Sequence, residues 1–126
     1  MKVISITLMI TIMILIFAFY AVNILAKTSL DMTEVLKEIE AAVMKGEWNQ
    51  AAQKLTDLED KWEEYHLIWD MLIEHGEIDN IDISISHINS YIRRQDLTES
   101  YAEIKALYKY LEHIPEIEKL TLENIF

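Results

Sequence analysis

Residues 48–72 read WNQAAQKLTDLEDKWEEYHLIWDML, and the spacing of their large apolar side chains decides the fold. Trp48, Leu55, Trp62 and Trp69 recur every seven residues, and Ala51, Leu58, Tyr65 and Leu72 do the same with an offset of three. Positions related in this way share one face of an α-helix, because seven residues make about two turns. Gln53, Lys54, Asp57, Asp60, Lys61, Glu63 and Glu64 fall between them and form the solvated face. The pattern predicts a helix over residues 47–75, too polar to span a bilayer and stopped by Gly76 after His75. Its three tryptophans carry enough area to anchor a core.

The same period runs outward in both directions. Upstream, Asp31 with Glu34 resembles an acidic helix start, and Val35, Leu36, Ile39, Ala42 and Val43 follow at helical spacing, so a helix is expected over residues 31–45, closed by Gly46. Downstream, Ile78, Ile81, Ile85, Ile88 and Ile92 step by three and four. The short alternation Ile81-Asp82-Ile83-Ser84-Ile85 looks strand-like, but the longer helical period persists through Tyr91 and Ile92. Asp96 with Glu99 marks a further start, and Leu97, Tyr101, Ile104, Tyr108 and Leu111 continue the seam. Pro115 is expected to end that helix or to start a short one over Glu116–Lys119. The apolar tail of residues 120–126 is expected to dock. Connections this short join antiparallel neighbours, so the fold class is all-α, an up-and-down bundle of about four helices. No second copy of the Lys45-Gly46-Glu47-Trp48 turn recurs at a fixed period, which disfavours a repeat solenoid.

Ahead of the bundle, Val3–Ala26 is a run of 24 residues with no charge, glycine or proline. As a helix it is about 36 Å long, against a hydrocarbon core of about 30 Å. Ser5, Thr7 and Thr11 can bond back to their own helix carbonyls, and Asn23 sits where hydration is at hand. A cleaved signal peptide would carry a shorter apolar core of about 7–15 residues, so residues 1–27 are expected to be an uncleaved single-pass anchor and residues 28–126 the bundle domain. The bilayer is thus a partner through Val3–Ala26. Lys2 and Lys27 flank the span, and the positive-inside rule favours a cytoplasmic N-terminus with the domain on the extracytoplasmic side of the cell membrane. Thr7 and Thr11 form only a weak version of a helix-pairing motif, which leaves a homo-oligomer open.

Composition narrows the chemistry. The chain has 22 acidic and 11 basic groups, a net charge of −11, with two glycines, one proline and no cysteine. This excludes disulfides, thiolate nucleophiles and cysteine-held zinc, and it leaves no room for a Gly-rich phosphate loop. From residue 27 onward, 22 acids face 10 basic groups, so the domain repels nucleic-acid phosphate and does not lie flat on anionic lipid. Arg93-Arg94, the one adjacent basic pair, suits a helix C-terminus.

Candidate sites follow from spacing. Glu63, His66, Asp70 and Glu74 fall 3-4-4 apart on one stripe, and Glu63-x-x-His66 matches half of a di-iron helix pattern. The other half is missing, since Ser84 and Tyr110 precede His87 and His113 at i−3. Glu63, His66 and Asp70 are therefore metal candidates against a plainer reading as a solvated acidic face, and no cofactor is expected. The turn His75-Gly76-Glu77-Ile78-Asp79-Asn80 gathers polar groups His75, Glu77 and Asp79, for which helix capping is the plainer account. Ser84, Ser86, Ser90 and Ser100 lack any nucleophile context. The aromatic stripe is core by default, with a groove for a partner's helix as its alternative use. On that use Trp48, Trp62, Trp69 and the terminal Phe126 are the partner-binding candidates.

Taken together, Trp62 and Trp69, the His75/Glu77/Ile78/Asp79 turn, Tyr91-Ile92 and the ending Leu120-Thr121-Leu122-Glu123-Asn124-Ile125-Phe126 resemble, over the full chain, a bacterial family of unknown function, domain of unknown function 4363. The resemblance implies a short membrane-attached helical protein of spore-forming Gram-positive bacteria, with no assigned activity or catalytic residues. It also implies gene neighbours encoding small multi-spanning membrane proteins, which suits an accessory subunit. The expectation is a non-enzymatic helical interaction module on the extracytoplasmic side, with a membrane-protein partner. The alternative is a ligand- or metal-sensing bundle acting through a separate membrane partner.

Overall fold

The structure, a computed structural model, describes residues 1–125, leaving aside the side chains at positions 117, 118, 120–122 and 125. It comprises four helices, α1 (Lys2–Met44), α2 (Trp48–Leu72), α3 (His75–Arg93) and α4 (Leu97–Ile125), and among the described residues there is no strand. α1 packs on α2 and α4, and α3 closes the ring by packing on the same two. With connections of two or three residues this is the expected up-and-down bundle. The N-terminal half of α1 projects beyond it and is long and apolar enough to cross a membrane.

The seam of α2 turns inward as its heptads dictate: Ala51, Leu55, Leu58, Trp62 and Trp69 are buried, with Trp48, Tyr65 and Leu72 packed at the margin. On α3, Ile78, Ile81, Ile85, Ile88 and Ile92 all enter the core, while Ile83 points outward. The local strand-like alternation thus yields to the longer period. On α4 the buried line is Ser100, Ile104, Leu107, Leu111 and Ile114. The expected seam is rotated at its start: Leu97 and Tyr101 remain 46% and 40% exposed. Instead Tyr101 and Tyr108 flank Lys105, whose ammonium lies 5.1 and 5.2 Å from their ring centroids. A tyrosine that keeps its hydroxyl wet and its face on a cation loses less than one pushed wholly into the core.

Three expected boundaries are corrected. No helix starts at Asp31, because α1 is unbroken from Lys2 to Met44 and Leu25 is already buried in the bundle. Residues 27–33 contain neither glycine nor proline, and extending a helix costs less than nucleating a second one. Thr28 and Thr33 bond back to Ile24 and Ser29 carbonyls within it. Gly76 does not close α2. That helix stops at Ile73, whose backbone is extended, and Gly76 lies in the first turn of α3, behind Glu74 at the N-cap position. Left-handed backbone occurs instead at Gly46 (φ 71°), as expected, and at Gln95 (φ 55°). Both close a helix with the same paired bonds, Gly46 to Val43 and Glu47 to Ala42, and Gln95 to Ile92 and Asp96 to Tyr91. Asp96 then caps α4 through the Glu99 amide at 3.0 Å, as its spacing suggests.

Pro115 is the third correction, since it lies inside α4 rather than at its end. A proline removes one amide and so strips the carbonyl four residues back, here Leu111, of its helical donor. The hydroxyl of buried Ser29, on α1, donates to that Leu111 carbonyl. The bond lost within α4 is replaced from its neighbour, so the helix continues past the proline. Ser29→Ala should therefore cost about 1–3 kcal/mol, the range for leaving a buried polar group unpaired. In a Pro115→Ala background, where residue 115 again donates, the same change should cost well under half as much, read by denaturant unfolding of all four variants.

Candidate functional site

The three tryptophans divide between core and surface. Trp69 is fully buried and its indole donates to Thr28 Oγ1 at 2.8 Å, tying α2 to α1. Trp62 packs edge-on against it, centroids 5.6 Å apart at 83°, and donates to Asp82 Oδ1 of α3 at 2.5 Å. Trp48, half-buried, keeps an open edge at the end of the bundle distant from the apolar projection. There it lines a shallow cavity of about 390 Å³ with Gly46, Glu47, Asn49, Gln50 and Gln95. Of the aromatic candidates, Trp62 and Trp69 serve as cross-helix ties, Trp48 alone reaches a cavity, and Phe126 lies outside the described residues.

The metal candidates do not converge. His66 stacks edge-on against Trp62 at 5.3 Å and faces Asp82 with Nε2 3.6 Å from Oδ2. Asp70 turns the other way, 2.7 Å from His75 Nδ1, and Glu63 is exposed. Among the described residues no group of three or more His, Asp or Glu is placed to share an ion. In the polar turn His75 and Asp79 are exposed, and Glu77 sits in the first turn of α3, where a negative charge meets the helix dipole.

Two carboxylates of α1 organise the polar contacts that sequence reasoning passed over. Asp31 accepts from the Tyr65 hydroxyl and from Lys61, 2.9 Å away, both on α2. Glu40 accepts from the Tyr108 hydroxyl and Lys105, each at 2.8 Å, both on α4. One arrangement, a carboxylate held by a tyrosine and a lysine, thus fastens α1 on each side. The Tyr65 hydrogen bond, then Lys61, holds the Asp31 carboxyl below its usual value, and the tyrosine is pushed up to about 12. Burial opposes ionisation of Glu40, but Lys105 and Tyr108 outweigh it and its carboxyl is also lowered. A usable signal was present in the seam itself: a tyrosine at a core position needs a partner for its hydroxyl.

Beside Asp31 a groove of about 800 Å³ opens between α1 and α2, lined by Ile24, Lys27, Leu30, Tyr65 and Ile68 among others. Of its polar groups Thr28, Asp31 and Tyr65 tie α1 to α2, and Ile24, Leu30 and Ile68 supply its aliphatic lining.

Because both carboxyls are lowered on folding, their contribution is complete above the ordinary values of 3.8 and 4.5 and is lost as pH falls through the folded-state values. Thermal midpoints should fall on acidification below about pH 5, and less steeply in Asp31→Asn/Glu40→Gln. On the alkaline side the raised Tyr65 contributes fully below 10.0 and loses that contribution as pH rises through about 12. Tyr65→Phe should remove that part of the alkaline fall.

No curated protein and no solved structure matches the chain. A family does match, over residues 19–125, which takes in the whole packed bundle and the last part of the apolar projection. The span of that match and the helical architecture agree with the resemblance drawn from the residues, and the chain belongs to the family described as Domain of unknown function (DUF4363).

Proposed function

We propose that α1 anchors the chain in the cell membrane as a single pass and that the bundle is a non-enzymatic accessory module for a membrane-protein partner. The observation that carries this reading is the projection itself. Val3, Phe17, Phe19 and most of the large apolar side chains between them are exposed along it. An apolar surface of that extent is not left to water, and a bilayer is the solvent it fits. The Lys2 and Lys27 flanks favour a cytoplasmic N-terminus and an extracytoplasmic bundle.

The accessory reading is supported by what the polar groups do. Asp31, Glu40, Asp82 and Ser29 are engaged in cross-helix contacts. The surfaces left for a protein are the bare face of the span and the distal end around Trp48. A net charge of −11 draws basic partners and makes encounter salt-sensitive. A second reading, ligand sensing, has one observation behind it: the α1–α2 groove of about 800 Å³ has the size of a ligand site. The separated Glu63, His66 and Asp70 do not support its metal form.

Photo-crosslinkers placed in cells at Ile14, in the span, and at Asn49, beside Trp48, should each yield a discrete adduct with a membrane protein. Trp48→Ala should abolish the Asn49 adduct and leave the Ile14 adduct. Absence of any discrete adduct from both positions overturns the accessory reading. A phosphatase fused behind α4 should be active, and an inactive fusion reverses the orientation.

A further inference from the structure

We propose that the bundle stands end-on upon the bilayer, with the α2–α3 turn at the lipid interface and the last turns of α4 running through the headgroup layer into the outermost hydrocarbon beside α1. This rests on the anchoring reading above and adds a second lipid contact to it.

The level of each element along α1 is set by cross-helix contacts. Trp69 meets Thr28, and Tyr65 and Lys61 meet Asp31, so α2 descends beside α1 and ends at Leu72 close to the level of Leu25. The turn at Ile73 and Glu74 then lies beside residues 22–24. α4 descends further. Its Lys119 and Glu123 share a cavity of about 390 Å³ with Phe19, Val22, Asn23 and Ala26. Leu15, Ala18, Ala21, Val22 and Ile24 are half-buried and Leu25 is buried, while their neighbours on the projection are exposed, and Val22 lines the cavity shared with α4.

Helix geometry then fixes the depth. Val3 to Asn23 makes about 30 Å of helix, which equals the hydrocarbon thickness. A bilayer that takes up this stretch ends where the α2–α3 turn begins. Burying the span as far as Ala26 would carry Glu74 and His75 into hydrocarbon, which is costly. Lifting the bundle away is equally barred, because α1 has no break between span and core. Lys119 therefore sits near the boundary and Glu123, which shares a cavity with Phe19, lies about one turn inside it, so the last turns of α4 enter the outermost hydrocarbon and their charged groups reach back to the headgroups. Above the turn, Met71 and Leu67 on α2 and Leu30 on α1 are 78%, 71% and 61% exposed, within roughly 10 Å of the turn by helical rise, the depth of the interfacial layer. Glu74, Glu77 and Asp79 crowd the same end, so apolar contact, not attraction to anionic lipid, makes this interface.

The absence of native cysteine makes the test direct. Single cysteines at the exposed positions Ile12, Gln50, Met71 and Glu123 would carry spin labels on the full chain in phosphatidylcholine vesicles. Collision with oxygen and with a water-soluble nickel chelate reports depth. Ile12 should be deep and Gln50 fully aqueous, with nickel access at Met71 and Glu123 reduced several-fold relative to Gln50 and unchanged by salt. Nickel access at Met71 and Glu123 equal to that at Gln50, with Ile12 still deep, overturns the end-on contact and leaves the anchor standing. An aqueous Ile12 overturns the anchor itself. Protection at Met71 that disappears on dilution with lipid assigns the surface to a second copy of the chain and likewise overturns the proposal.

Discussion

The continuity of α1 is the constraint on which the rest depends. One helix of 43 residues supplies both the apolar projection and a full wall of the core. No linker intervenes, so the position of the bundle along the projection is a matter of helical rise rather than of chain flexibility. Four residues of α1 make polar contacts that locate its neighbours: Thr28 and Asp31 hold α2, and Ser29 and Glu40 hold α4. These four residues span three turns directly above the apolar stretch. The ties thus begin directly where the bundle meets the apolar stretch and run up α1 from there.

The Ser29–Leu111 contact shows how such fastening replaces a local rule. An isolated helix would kink at Pro115, because its ring displaces the preceding turn and one carbonyl loses its donor. Here a buried hydroxyl from α1 supplies that donor, and Ile114, next to the proline, is packed in the core. The continuation of α4 beyond the proline is therefore a tertiary property. It is also what brings Lys119 and Glu123 down beside Val22 and Ala26.

What could be read from the residues alone follows the same division. The helical class, the inward faces of α2 and α3, the turn at Gly46 and the cap at Asp96 were legible, because each is written in periodicity or in one residue's local preference. Most of the missed features depend on a partner distant in the chain. Asp31 looks like a helix start until Tyr65 and Lys61 are seen 34 and 30 positions away. Pro115 looks like a stop until Ser29 is placed 82 positions upstream of Leu111. Gln95 adopts a glycine-like backbone with no glycine to announce it. The candidate stripe Glu63, His66 and Asp70 was a correct statement of helical spacing, but spacing on one helix says nothing about the facing groups. Asp82 claims His66, and His75 claims Asp70.

The same pattern runs through the polar side chains of the seam, which are drawn into ties between helices. Tyr65 and Tyr108 donate to Asp31 and Glu40, and the Trp62 and Trp69 indoles donate to Asp82 and Thr28, each across a helix boundary. Outside those ties the molecule presents an apolar rod, exposed aliphatic side chains above it, and an aromatic edge at the far end. Under the proposed anchoring, residues 23–45 hold that edge about 33 Å from the lipid boundary, because the helix rises by a fixed step. A partner reaching Trp48 must itself extend that far from the bilayer, whereas one that pairs with the span need not leave it. Distance along α1 thus sorts the two kinds of contact without any moving part.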